Sequence, residues 1–96
     1  WLESSRLPIY DGTAFAAEGV VFVSFNYRLG LFGFLDLSPI GGPAEAHSNG
    51  LTDQLQAIEW ISRNIAAFGG DPANITLVGE SAGAMDISWL LASGRL

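Results

Sequence analysis

Ser81 stands between two glycines in Gly79-Glu80-Ser81-Ala82-Gly83, a G-x-S-x-G arrangement that follows the apolar run ITLV and opens a second apolar run. A serine hydroxyl is a weak nucleophile until a general base takes its proton. In a nucleophile elbow the serine sits on a tight turn between a strand and a helix, and glycines two before and two after it allow close backbone approach. The backbone N–H of the next residue, here Ala82, then points to where an oxyanion develops. The N-terminus of the following helix adds a field that favours negative charge. The chemistry such a constellation can perform is acyl transfer through a covalent intermediate. The competing reading is a helix-capping serine in an inert turn. The apolar run before it and the helical pattern after it favour the nucleophile.

The partners of a nucleophilic serine are harder to find. In α/β hydrolases the chain order is serine, acid, histidine. His47, the one histidine, precedes Ser81 in a Pro/Gly-rich stretch and reads as an ordinary loop residue. Asp53, Glu59 and Asp86 fall on helical segments rather than at downstream strand ends, so none suits the triad acid. A glycine-rich loop of the HGGG type, which supplies the other oxyanion donor, does not occur in these 96 residues.

The elements that would position Ser81 can be read from the period of the apolar residues. Val20 to Phe25 is a continuous β-branched and aromatic run and Ile75 to Val78 a shorter one, as expected for strands buried on both faces of a parallel sheet. Leu51, Leu55, Ile58, Ile61, Ile65 and Phe68 recur at spacings of three and four, which predicts an amphipathic helix. Asn49 or Thr52 would cap its start, Glu59 and Arg63 pair four apart, and Gly69-Gly70 end it. Asp71-Pro72 reads as a cap and first turn position. Ala82 to Ser93 is a helix apolar on most faces, stopped at Gly94. The first segment, through Asp11-Gly12 and Ala14 to Ala17, suggests a loop with one helical turn. Asn26 to Gly33 turns the chain, and Asp36 to Asn49 is a surface loop. Strand, helix, strand, helix is an α/β order with a parallel sheet. Two strands cannot cover both faces of runs this apolar, so the sheet is expected to be incomplete.

Composition narrows the function classes. Hydrophobic residues make up 49% and charged residues 15%, the balance of a packed globular piece rather than a disordered chain. A net charge of -6 provides no basic patch for a phosphate backbone or an anionic membrane surface, so nucleic acid is not an expected partner. There is no cysteine to bridge or to bind metal, and a lone histidine cannot form an imidazole cluster. No cofactor is called for. GVVFVSF is far short of the ~20 residues of a membrane helix. The chain opens on Trp1 rather than methionine, so its start, with any signal, is expected upstream.

Five stretches extend the reading beyond the elbow: NYRLG at 26–30, GFL at 33–35, NGLTDQ at 49–54, NIAAFGGDP at 64–72 and GESAG at 79–83. In this order and at these intervals, over about residues 8 to 92, the chain resembles the type B carboxylesterase family, within the α/β-hydrolase fold. The resemblance implies that residues 1–96 are a partial carboxylesterase domain, a segment of an α/β-hydrolase fold. It also implies hydrolysis of small-molecule carboxylic esters through a Ser-Glu/Asp-His triad and an acyl-enzyme. By resemblance Ser81 is the nucleophile, Ala82 the oxyanion donor and Glu80 the glutamate near the active site that is not the triad acid. Arg28 and Asp71 match a structural salt bridge, with stability rather than catalysis as its role. The 96 residues alone are expected to be inactive. A non-catalytic adhesion or scaffold relative, or another serine hydrolase such as a lipase, thioesterase or peptidase, is the alternative. Three positions depart from the family pattern: Leu31 for a proline, Ala84 for a frequent glycine, and Asp86 for a small or hydroxyl residue. Asp86 is expected to be a locally solvated or hydrogen-bonded carboxylate.

Overall fold

A computed structural model describes residues 4–36, 38–40 and 48–96. The helices are α1 (Thr13–Ala17), α2 (Gly30–Phe34), α3 (Asn49–Asn64) and α4 (Ala82–Ala92), with 3-10 turns at Pro8–Tyr10, Ser38–Ile40 and Ile65–Phe68. His47 and most of the expected 36–49 loop lie outside the described residues.

Helix α3 is the organising element, as its apolar period predicts, but its start differs from expectation. The cap position is Ser48, at φ 51° and ψ 58°, and it makes no side-chain capping bond. Neither Asn49 nor Thr52 caps; the Asn49 side-chain amide donates instead to the Phe32 carbonyl at 3.2 Å, tying α3 to α2. The helix begins one residue earlier than a cap at Asn49 would allow, which places Asn49 inside its first turn. At the other end Gly69 adopts φ 85° and closes the 3-10 turn, as the double glycine suggests. Arg63 and Glu59 pair at 3.7 Å on the exposed side.

The stretch expected only to turn the chain contains α2, which packs on the first turns of α3. The Tyr27 and Phe34 rings meet edge to face at 6.5 Å. Gly50 is buried there because a Cβ would lie 2.6 Å from Phe34 Cζ and 2.7 Å from the Arg28 carbonyl oxygen. Helix α4 crosses α3. Leu55, Ile65 and Leu90 are the buried apolar side chains, joined by two buried polar ones, Gln54 and Asp86.

The two apolar runs expected as strands carry no regular secondary structure, and no strand occurs among the described residues. A strand is defined by bonds to a neighbour, because its own N–H and C=O groups cannot pair internally. Neither run has such a neighbour here. Val20 to Val23 are two-fifths to one-half exposed, and Val78 is 84% exposed. One ring contact does engage the first run: Phe22 stacks on Phe15 of α1 at 5.8 Å. The radius of gyration, 14.8 Å, exceeds the roughly 12.5 Å expected for a compact chain of this length. Apolar surface that periodicity assigns to an interior is open.

Candidate active site

Ser81 occupies the cap position of α4 with φ 51° and ψ -113°. It is one of two non-glycine residues at positive φ among those described. An L-residue in this region carries strain of about 1–3 kcal/mol, which persists only where the surroundings over-determine the turn. Those surroundings are visible. The Gly83 N–H donates to the Glu80 carbonyl at 2.9 Å, and the Ala84 and Met85 N–H groups donate to the Ser81 carbonyl at 3.1 and 3.2 Å.

The Ser81 hydroxyl makes no capping bond, so it is not engaged in the role the inert alternative assigns to it. Ala82 is the first helical residue, where backbone N–H groups have no intrahelical acceptor. Ser81 is exposed and Ala82 half-buried.

Of the two motif glycines, Gly79 is the one that the turn requires sterically. A Cβ there would lie 2.5 Å from the Gly83 carbonyl carbon, 2.6 Å from its oxygen and 2.8 Å from the Ala84 nitrogen. A Cβ on Gly83 meets nothing within 4 Å. The close approach expected on either side of the serine is found between the residue two before it and the first turn of α4.

Glu80, next to the nucleophile candidate, accepts a long hydrogen bond from the Tyr10 hydroxyl at 3.4 Å. This contact brings the 3-10 turn at Pro8–Tyr10 beside the elbow across 70 residues of sequence. A groove of about 470 Å³ is lined by that tyrosine and, among others, by Arg6, Thr13 and Phe22. It does not reach Ser81.

Asp86 takes the second of its two expected forms, a hydrogen-bonded carboxylate. It is fully buried rather than solvated, and it is hydrogen-bonded. Gln54 on α3 donates through Nε2 at 2.7 Å, and the Tyr27 hydroxyl is its second partner. Burial, then the charge and hydrogen bond of Asp86, push the Tyr27 phenol above its ordinary value of 10.0. Sequence reasoning singled out Asp86 but missed Gln54 and Tyr27. The available signal was a lone carboxylate inside a helix otherwise apolar on most faces.

Arg28 also has a different partner from the expected Asp71. Its Nη2 and Nε each lie 2.7 Å from the two carboxylate oxygens of Asp53, and its backbone N–H donates to Asp53 Oδ2 at 3.0 Å. Packing of α2 on α3 places Asp53, one turn into α3, beside Arg28. Asp71 instead accepts from the Ala73 N–H at 2.8 Å, closing the turn after Gly70. The bond from Arg28 holds the Asp53 carboxyl below its ordinary 3.8, and Asp53 in turn raises Arg28. The arginine side chain is 53% exposed, so the pair is a surface clasp rather than the buried bridge that resemblance implies. Neither residue touches the elbow.

No triad is assembled among the described residues: no histidine or second carboxylate is placed on the Ser81 hydroxyl. No helix there is long and apolar enough to cross a membrane.

Comparison with known proteins gives the arrangement a family context. Residues 1–95 match the model of the carboxylesterase family. The chain is 53% identical over 95 residues to para-nitrobenzyl esterase of Bacillus subtilis, covering 96% of this chain and 19% of that protein. It is 51% identical over 86 residues to cholinesterase of Mus musculus, covering 88% of this chain and 14% of that protein. With fumonisin B1 esterase of Sphingopyxis macrogoltabida it shares 47% over 93 residues, 94% of this chain and 17% of that protein. The chain thus spans less than a fifth of the length of these relatives. No solved structure matches it.

Proposed function

Because this chain belongs to the carboxylesterase family, whose fold is that of the α/β hydrolases, we propose that it carries the nucleophile of a carboxylic ester hydrolase and that the nucleophile is Ser81. The observation that supports this most directly is the strained positive-φ backbone of Ser81 at the head of α4, with its hydroxyl left out of the cap. Strain of this kind is retained where a side chain must be presented.

In this reading a base removes the Ser81 Oγ proton as Oγ attacks the ester carbonyl carbon. The carbonyl π pair moves to oxygen, and the Ala82 N–H stabilises the resulting oxyanion. Collapse of the tetrahedral intermediate expels the alcohol, which takes the proton from the base, and leaves an acyl group on Oγ. Water then repeats the sequence and releases the acid. Each donor removed from an oxyanion hole costs about 10²–10³ in rate, so Ala82 alone is half of what the step needs. Glu80 lies beside the reacting centre and is held by Tyr10.

The base, its acid partner and the second oxyanion donor come, in this proposal, from sequence outside these 96 residues. The same holds for the neighbours that would turn 20–25 and 75–78 into strands of a parallel sheet. Small-molecule esters are the substrate class.

Fluorophosphonate labelling of the longer protein containing this chain tests the reading. Covalent modification at Ser81, lost in Ser81→Ala together with ester hydrolysis, is the expected result. A folded protein that is not labelled, or is labelled at another serine, overturns it in favour of a binding role or a different nucleophile.

A further inference from the structure

Helix α4 carries Ser81 at its head, and within these 96 residues few of its side chains are buried. Of its large side chains only Leu90 is buried, while Met85, Trp89 and Leu91 are 47%, 53% and 62% exposed. Apolar contact is non-directional and does not by itself select one rotation of a helix. The other buried side chain on α4 is Asp86, with no exposed surface at all.

Its two partners come from different elements. Gln54 reaches it from α3 at 2.7 Å, and the Tyr27 hydroxyl reaches it from the segment leading into α2. Hydrogen bonds are directional, with a distance tolerance of a few tenths of an ångström. Two of them converging on one carboxylate from separate elements constrain both the rotation of the helix and its position along its axis. Asp86 lies five residues beyond Ser81, about 7.5 Å along the helix axis at 1.5 Å per residue. A rotation or slide of α4 is therefore transmitted to Oγ and to the Ala82 N–H together.

We infer that Tyr27, Asp86 and Gln54 form a buried positioning unit that sets where the head of α4 presents Ser81. Asp86 is a positioning residue, acting through the backbone of α4 and not on the substrate. The inference rests on Ser81 being the nucleophile. It adds to that reading a buried carboxylate on α4, together with the two side chains that hold it.

The test uses the longer protein that contains this chain, with Asp86→Ala, Tyr27→Phe and Asp86→Asn. Each is measured for melting temperature, for kcat and KM on a p-nitrophenyl ester, and for the rate of fluorophosphonate labelling. Catalytic geometry misplaced by about 1 Å costs up to roughly 10² in rate. Asp86→Ala is expected to lower kcat and labelling rate by about 10- to 100-fold with KM within about 2-fold, and Tyr27→Phe to lower them in the same way by a smaller factor. Asparagine can accept from Tyr27 through its oxygen and donate to a flipped Gln54 amide, so Asp86→Asn should recover most of the loss.

A lowered melting temperature with kcat and labelling rate unchanged in Asp86→Ala and Tyr27→Phe assigns the cluster to packing and overturns the inference. So does an Asp86→Asn protein as slow as Asp86→Ala, which would make charge rather than geometry the operative property. If Asp86→Ala does not fold, Tyr27→Phe decides the matter by the same measurements. Failure of the underlying reading looks different: the unsubstituted protein is then not labelled at Ser81, and both fall together.

Discussion

Substituting alanine at Gly79 and at Gly83 separates two glycines that the motif treats alike. At Gly79 the added Cβ would lie 2.5 Å from the Gly83 carbonyl carbon and 2.8 Å from the Ala84 nitrogen. Ordinary carbon contacts fall at about 3.5–4.0 Å, so the residue before Glu80 and the first turn of α4 must separate by about 1 Å. Both sides of the contact are backbone, and no rotamer change can relieve it. Overpacking of this size costs about 1–3 kcal/mol. A shift of about 1 Å at a reacting centre costs up to roughly 10² in rate. Gly83 faces nothing within 4 Å, so alanine there should leave stability and rate within about 2-fold and a few tenths of a kcal/mol. Chemical denaturation and the fluorophosphonate labelling rate of the longer protein, measured on both variants, form the assay. Equal sensitivity of the two positions, or Gly79→Ala labelled at the unsubstituted rate, would refute the argument that the elbow is held by this one close approach.

Replacing Ser81 with glycine should raise stability while abolishing labelling: relief of about 1–3 kcal/mol of strain, less about 0.5–1 kcal/mol for the freer unfolded chain, leaves a gain of about 1 kcal/mol over Ser81→Ala by urea midpoint. The Arg28–Asp53 clasp should appear as a step in acid stability. The folded Asp53 carboxyl lies below 3.8 because Arg28 hydrogen-bonds it, so its contribution is present above 3.8 and is lost as pH falls through the lower folded value. Asp53→Asn should remove that step in melts recorded between pH 2 and 5, measured as denaturation on the approximate scale set by ordinary carboxylate titration. The 96 residues expressed alone should not hydrolyse a p-nitrophenyl ester; turnover that disappears in Ser81→Ala would show that no outside base is needed.

The turn at Ser81 and the helix after it were legible because their signals are local. A serine between glycines, an apolar run before it and a helical run after it are written in the twenty consecutive residues 75–94, and the turn, the helix at Ala82–Ala92 and the stop at Gly94 follow from them. Helix α3 was equally legible, because a period of 3.6 residues is a property of the segment itself. Its cap was not: the cap position falls on Ser48, and the Asn49 amide donates to the carbonyl of Phe32, 17 positions away.

What the sequence by itself determined is α3 and α4, helices whose hydrogen bonds close within a few residues, together with the family that the order of the motifs identifies. Tertiary structure alone decided which polar groups meet: Asp53 rather than Asp71 on Arg28, and Tyr27 with Gln54 on a buried Asp86. A side-chain pairing depends on how two helices cross, and that depends on packing over the whole surface of both. The strands belong to the same category. The runs at 20–25 and 75–78 have the residues of buried strands, but a strand completes its hydrogen bonds only on a neighbour, and among the described residues neither run has one.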